Sequence, residues 1–374
     1  MLNIGRYAAA LFCIAAGASA CGGSGSTATP PPPNPLYVSV TTGSDTNLGD
    51  QAHPLKSVSR ATQLAFSNYR IFVGPGTYGG GITTVSTGTA QQGLQIIADP
   101  SGAQTGDQGH AGPVVIDAAG ATAGFQFNHS PGSLIDGFTV INATDAGILV
   151  KSNSDNFVIQ NCTIHDNRGN STDGIRVQDS ASVLIFNNLI YNNSGMGINI
   201  VASGSANTNG SPNAHLINNT IYGNTLLGIT VGNAAPKPPS PGAFIRNNIV
   251  QSNQGDVSIK VFTDPLARSE VGYSEDYDLV SPATFLPGSP DLSGRHDVRT
   301  NATFTNPTTG DFHIVSGNVL NVGAPDLGNL TTVDNGVLVP LPTFLARRTM
   351  TVGTGCDTGT LDIGFHYAAT GSCP

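Results

Sequence analysis

Three cations stand close together in a chain where charged residues make up only 10% and the formal net charge is −9: Lys151, Arg168 and Arg176. Lys151 and Arg176 belong to two copies of one short phrase, GILVK (147–151) and DGIRV (173–177), so they fall on equivalent strands of neighbouring repeat units. If Ile148, Ile175, Ile198 and Ile229 point inward, alternation along a strand turns Leu149, Arg176, Asn199, Thr230 and Ser258 outward. Lys151, Gln178, Val201, Gly232 and Lys260 come one step along. Diagonal neighbours on adjacent strands lie within about 7–8 Å. Two cations so placed suit β-elimination: one neutralises a uronate carboxylate while the other removes the adjacent proton. On this reading Lys151 is the base and Arg176 holds the carboxylate. Asp173 and Arg168 sit in the loop entering the strand, and Asn199 lies beside them as a further substrate contact. The competing reading is solvated surface charge with an Arg176 to Asp173 ion pair.

Glycosidic hydrolysis would instead require two carboxylates about 5 to 9.5 Å apart. Asp145 and Asp173 are on adjacent units, but Asp145 stands two residues before its glycine and Asp173 one before, so they are out of phase. His165, Tyr191 and Tyr222 form another outward column, continued by Gln251. Such a stack is either a platform for sugar rings or a set of side chains packed on one another.

The elements that hold these residues are read from the repeats. VIQNCTIHDN (158–167), LIFNNLIYNN (184–193), LINNTIYGN (216–224) and FIRNNIVQSN (244–253) are copies of one phrase, and LIDGFTVINA (134–143) is a looser one. Gly137, Asn161, Asn187, Asn218 and Asn247 are separated by 24, 26, 31 and 29 residues. Periods of roughly 20 to 50 residues mark architectures whose units bury their apolar faces only by stacking. Each unit holds two short runs of period-2 alternation and no long amphipathic helix, which excludes helical repeats, and leucine is not the recurring residue. A parallel β-helix remains, with Ile164, Ile190, Ile221 and Val250 in one interior stack and Ile175, Ile198 and Ile229 in another. The columns Asn161/Asn187/Asn218/Asn247 and Asn167/Asn193/Asn224/Asn253 are then stacked amides that satisfy turn backbone. Cys162 stands where Asn188, Asn219 and Asn248 stand in other units and reads as a small packed thiol.

The Asn and Gly-Ile repeats resemble the right-handed parallel β-helix repeats of the pectate-lyase-like superfamily. YVSVTTGSDTNLGDQAHPLKSV (37–58) with VGPGTY (73–78) is similar to the segment that opens many secreted bacterial members. TNPTTGDFHIVSGNVLNVGAPDLG (305–328) with DIGFHY (362–367) resembles the segment that closes them. The resemblance implies an all-β fold: a right-handed single-stranded parallel β-helix, a solenoid, with a short N-terminal capping helix and a C-terminal closing segment. It covers lyases, hydrolases, esterases and adhesins, and implies that Arg/Lys pairs on this face serve elimination. No cluster resembles the pectate-lyase calcium site, so no metal or other cofactor is expected. The one calcium candidate is Gly43, Asp45, Asn47, Gly49 and Asp50, which equally reads as a tight turn before a helix over 54–69.

Residues 1–20 read as a signal peptide, with Arg6, an apolar run and small residues before Cys21. Ser19-Ala20-Cys21-Gly22 resembles a lipobox, so Cys21 is expected to be acylated, with ordinary signal-peptidase processing after Ala18-x-Ala20 the alternative. Residues 21–36 form a Gly/Ser/Pro tether, 37–290 the β-helix with its cap, and 291–374 the closing segment. Cys356 and Cys373 are expected to form a disulfide in an exported chain. Two functions follow. One is an exported, surface-anchored carbohydrate-active protein, lyase-like on anionic polysaccharide; the other is a non-catalytic glycan-binding or adhesion protein. Either would be a monomer of the bacterial envelope, or secreted, touching membrane only through its lipid. The acidic balance argues against nucleic acid.

Overall fold

The computed structural model describes residues 34–369, apart from 85–90, 205–209, 235, 255–257, 264, 266, 282–293, 317–318, 335–336, 352–355 and 358–359. The leader, Cys21, the tether up to residue 33 and Cys373 lie outside the described residues.

A complete coil contributes three strands, and one coil explains the rest. Val158–Gln160 belongs to a first sheet, Thr163–His165 to a second and Asp173–Gln178 to a third. Stacked coils give parallel sheets of nine, eight and seven strands, each strand hydrogen-bonded to its equivalents one coil before and after. A strand of three residues cannot hide its apolar face alone. It does so here because like pairs with like: Ile164 with Ile190, Ile221 and Val250, and Ile175 with Ile198, Ile229 and Ile259. These side chains are at most 1% exposed, and burial of each stabilises by about 1.5–3 kcal/mol before entropy is counted.

The two turns flanking the second sheet are built differently from each other. Asn161, Asn187, Asn218 and Asn247 have φ between +53° and +60°, and asparagine tolerates that left-handed region better than most residues. Their column is therefore only partly an amide stack. Asn187 Nδ2 reaches Asn161 Oδ1 at 2.8 Å, but Asn187 also bonds the His366 backbone through both ends of its amide. The continuous ladder lies one residue later and inside the coil. Asn188 Nδ2 donates to Asn219 Oδ1 at 3.0 Å, Asn219 to Asn248 at 2.9 Å and Asn248 to Asp278 at 2.8 Å. Cys162 opens this ladder, wholly buried, with its thiol pKa raised by burial to about 12. The expected second column, Asn167, Asn193, Asn224 and Asn253, is a true ladder at 2.8–3.0 Å.

At the N-terminal end the helix is shorter than 54–69: it runs Val58–Leu64, capped by Ser57 Oγ on Arg60 N. Gln91 Nε2 takes the carbonyls of Thr62 and Ala65, which ends it. Val58 and Ala61 join the interior core there. Asp45 accepts from Lys56 N, Ser57 N and Ser57 Oγ, and Asp50 from His53 N, so the Gly43–Asp50 segment is organised as the turn before that helix.

The closing segment runs back along the outside. Phe304, Phe312 and Ile314 pack with Leu189, Tyr191, Ile249 and Leu279 on the outer side of the second sheet. Leu327, Leu341, Phe344 and Leu345 pack with Phe186 and Ile217 on the first. Asn218 Nδ2 donates to the Asp362 and Gly364 carbonyls, and Asn247 Oδ1 accepts from Ala324 N. The outer asparagine column thus acts as a strip of peptide-like groups to which the returning chain is fastened.

Candidate functional site

The third sheet carries the residues singled out for chemistry, and its register fixes their neighbours. Gln126, Leu149, Arg176, Asn199, Thr230 and Lys260 form one row. Lys260, not Ser258, therefore stands outward beside Thr230; Ser258 is 1% exposed. Lys151 pairs in register with Asn128 and Gln178, one step along, and is diagonal to Arg176 as the spacing required.

Arg176 is not a free cation. Its Nε donates to Asp173 Oδ2 at 2.7 Å, Nη1 to Asp145 Oδ1 at 2.8 Å and Nη2 to the Asp145 carbonyl at 3.2 Å. Burial alone would weaken the charge, but Asp173 and Asp145 outweigh it and raise its pKa. Asp173 is nearly inaccessible, 3% exposed, and also accepts from Met196 N at 3.0 Å and Asn199 Nδ2 at 2.8 Å. Asp145, out of phase by sequence, is brought in because Arg176 is long enough to span the offset. The result is a clamp, Asp145–Arg176–Asp173–Asn199, across three coils. Two of the five guanidinium N–H groups have no part in these bonds. The Asn199 carbonyl oxygen is buried without a partner.

Arg168 turns away from this group and pairs with Asp166 at 2.5 Å. Lys151 is half-buried and makes no ion pair with a described residue. The idea of three cations clustered on one face is therefore corrected: two are neutralised by carboxylates, and Lys151 alone keeps an unpaired charge.

The aromatic column is also corrected. His165, Tyr191 and Tyr222 do stack outward, with the His165 and Tyr191 rings 4.7 Å apart and 6° from parallel. Their outer side is taken, however. Phe312 covers Tyr191 at 5.0 Å and Tyr222 at 5.3 Å, and Phe304 meets Tyr222 at 5.6 Å. The turn at Gly310, φ +83°, passes so close that a Cβ there would lie 2.7 Å from the Tyr191 hydroxyl. Tyr191 is 8% exposed. These rings hold the closing segment rather than offering an open sugar platform, and His165 is engaged by Asp166 at 2.8 Å.

Two titratable groups escaped the sequence reading. His366 is wholly buried, with Nδ1 2.8 Å from the Gly364 carbonyl and Nε2 3.0 Å from Asp357 Oδ2. Both ring nitrogens are engaged, so this side chain fastens the closing segment, next to a 170 Å³ cavity lined by Asp357, Asp362 and Cys356. Cys356 is disulfide-bonded. The other group is Glu275, Asp278 and Asp297 at the last coil. Asp278 was visible as the one acid in the position of Asn188, Asn219 and Asn248; Asp297 follows the repeats and had no such marker.

Residues 110–211 match the family described as "Right handed beta helix region". With the three parallel sheets above, the chain is a right-handed parallel β-helix protein. Among solved structures it is similar to pectate lyase Pel9A, at 13% identity over 88% of this chain and 96% of that one, TM-score 0.39. It is similar to the GH136 lacto-N-biosidase from Eubacterium ramulus at 12% identity, over 66% of this chain and 56% of that one, TM-score 0.47. It is also similar to the periplasmic alginate epimerase AlgG at 18%, over 52% of this chain and 43% of that one, TM-score 0.36. The chain thus spans under half of that epimerase and little more than half of the biosidase. These similarities concern the fold. No curated protein matches the sequence.

Proposed function

We propose that this chain is an exported, surface-anchored protein that binds an extended anionic polysaccharide along the outer face of the third sheet. The observation that carries this reading is the course of the closing segment. Its apolar residues pack on the first and second sheets, while the third presents Gln126 and Lys260 in one row and Asn128, Lys151 and Gln178 in the next. Amides bond sugar hydroxyls, and ammonium groups attract carboxylates. Neither Lys151 nor Lys260 pairs with a carboxylate among the described residues; Lys260 lies over the Phe262 ring at 4.6 Å. The test is calorimetric titration of the purified chain with uronate-containing and neutral polymers. Binding to uronate polymers that weakens in Lys151→Ala and Lys260→Ala supports the reading, and equal affinity for neutral polymers refutes it.

A second reading, β-eliminating cleavage of the same class of polymer, is favoured by one observation: the unpaired Lys151 lies diagonal to an arginine with two N–H groups to spare. Lys151, as the neutral amine, would take the proton beside the uronate carboxylate; the C–H electron pair would form a carbon–carbon double bond as the bond to the leaving sugar oxygen breaks, that oxygen would take a proton from the lysine ammonium or water, and an unsaturated end absorbing in the ultraviolet would remain. Absorbance that grows with the wild type and vanishes in Lys151→Ala supports cleavage. Binding without absorbance leaves the non-catalytic reading.

A further inference from the structure

The internal asparagine ladder ends in an acid. Asp278 Oδ1 accepts from both Asn248 N, at 2.5 Å, and Asn248 Nδ2, at 2.8 Å, as an asparagine oxygen does in each earlier coil. Ladder asparagines also donate Nδ2 to a strand carbonyl of the preceding coil: Ile159, Ile185 and Leu216. Asp278 has no such N–H, and the equivalent carbonyl, Ile245, is served by Arg246 Nη1 at 2.8 Å. The second oxygen of Asp278 is thus left facing inward. It has no partner, and Asp278 is wholly buried.

It is not alone. Glu275 Oε1, Asp297 Oδ2 and the Tyr273 hydroxyl are likewise closed off from solvent without a hydrogen bond. The phenol is an independent pointer, because it is no acid, yet its oxygen is shielded from water within electrostatic reach of all three carboxylates. Unmade bonds of this kind cost about 1–3 kcal/mol each, more for charged groups, so four together call for something that satisfies oxygen lone pairs. A cation does so for all of them at once; the competing arrangement is protonated carboxyls, with Glu275 and Asp297 sharing a hydrogen bond.

We propose that Glu275, Asp278 and Asp297, with the Tyr273 hydroxyl, form a calcium site that closes the last coil. One oxygen from each carboxylate lies within 4.8 Å of the others. Calcium–oxygen distances of about 2.3–2.6 Å, which place ligands on opposite sides roughly 4.6–5.2 Å apart, are compatible with that bound. Three carboxylates gathered in one place carry negative charge that the nearby Arg246 guanidinium, which also faces Asp326 at 3.7 Å, offsets only in part. Burial and mutual repulsion raise the pKa values of Glu275 and Asp278. This position is separate from the Gly43–Asp50 turn and from the third-sheet face.

The test uses the full exported chain stripped with a chelator. Calcium should raise its melting temperature by about 5 °C or more at saturation, with one calcium bound per chain by elemental analysis, and magnesium should do much less. Asp278→Asn is the informative variant because asparagine is the residue of the other rungs: it should fold, melt higher than the calcium-free wild type and lose the calcium response. The chain has no tryptophan, so terbium luminescence must be excited through tyrosine; Tyr273→Phe should dim it while leaving calcium bound. A stripped wild type whose melting temperature ignores calcium and which binds none overturns the proposal, and so does an undiminished calcium response in Asp278→Asn. In the first case the carboxyl groups hold protons instead; in the second calcium binds elsewhere.

Discussion

Replacing Arg176 with alanine separates a structural clamp from a substrate arginine. The bond to Asp145 ends on an acid that is 40% exposed, so after solvent screening it contributes about 0.2–1 kcal/mol. Asp173 is different, at 3% exposure. Breaking a buried pair by removing one partner costs about 3–5 kcal/mol, because the remaining charge stays buried. Asp173 keeps the Met196 N and Asn199 Nδ2 bonds, which places the loss at the low end. The sum for Arg176→Ala is a destabilisation of about 3–4 kcal/mol, against under about 1 kcal/mol for Asp145→Ala. Lys151→Ala removes no ion pair and should stay within about 0.5 kcal/mol of wild type. Solenoids can fray coil by coil, so urea midpoints should be read beside amide hydrogen exchange at Asp173–Gln178. Arg176→Met combined with Asp173→Asn should recover much of the loss. If Arg176→Ala unfolds like the wild type yet abolishes glycan binding, the clamp reasoning is wrong and Arg176 is a substrate residue.

Asn219→Ala leaves Asn188 N and one Asn188 Nδ2 hydrogen without acceptors, a loss of roughly 2–6 kcal/mol by urea unfolding. Cys162→Asn should be neutral or stabilising, since Asn188 Oδ1 already receives Cys162 N at 2.9 Å and the ladder would gain a rung; a large loss there would contradict the ladder account. For Glu275, burial and then Asp278 and Asp297 raise the pKa from 4.5 to about 10. A raised carboxyl pKa stabilises the fold most below the unfolded value, so calcium-free protein should lose stability as pH rises from 4.5 towards about 10. Saturating calcium should flatten that slope, and a calcium-free melting temperature that rises across the window would oppose it. Cys21→Ser should move the chain from the membrane fraction to the soluble fraction; wild type that starts at Cys21 without lipid would indicate plain secretion.

The coil was legible because its inward positions repeat. Ile164, Ile190, Ile221 and Val250 recur at one place in the phrase, and the same burial acts on each. The site was legible only in outline. Arg176, Lys151 and Asn199 could be set on one face by alternation, but whether a charge there is free depends on residues from other coils. Asp145 reached Arg176 across a register offset that strand counting alone forbids. For Tyr191 and Tyr222 alternation left two roles, a sugar platform or packing, because Phe304 and Phe312 arrive from more than eighty residues downstream of Tyr222. Nothing in the repeat announces where a non-repeating segment will return.

Departures from the repeat are where the sequence says most, provided the surroundings are known. Cys162 and Asp278 both replace a ladder asparagine, one at the start of the ladder and one at its end. Cys162 loses an amide but leaves no charge, and its thiol reaches the Gln160 carbonyl at 3.2 Å. Apolar packing accounts for it. Asp278 keeps the acceptor oxygen, loses the donor and adds a buried charge beside Glu275 and Asp297, which packing cannot satisfy. A solenoid must also stop somewhere, and after this coil the described residues offer a partial rung: Asp297 Oδ1 accepts from Asp278 N, and Val298 bonds the Asp278 carbonyl and Val280 N. Oxygen ligands gathered around one cation would meet that need at the point where the ladder has no further asparagine to offer.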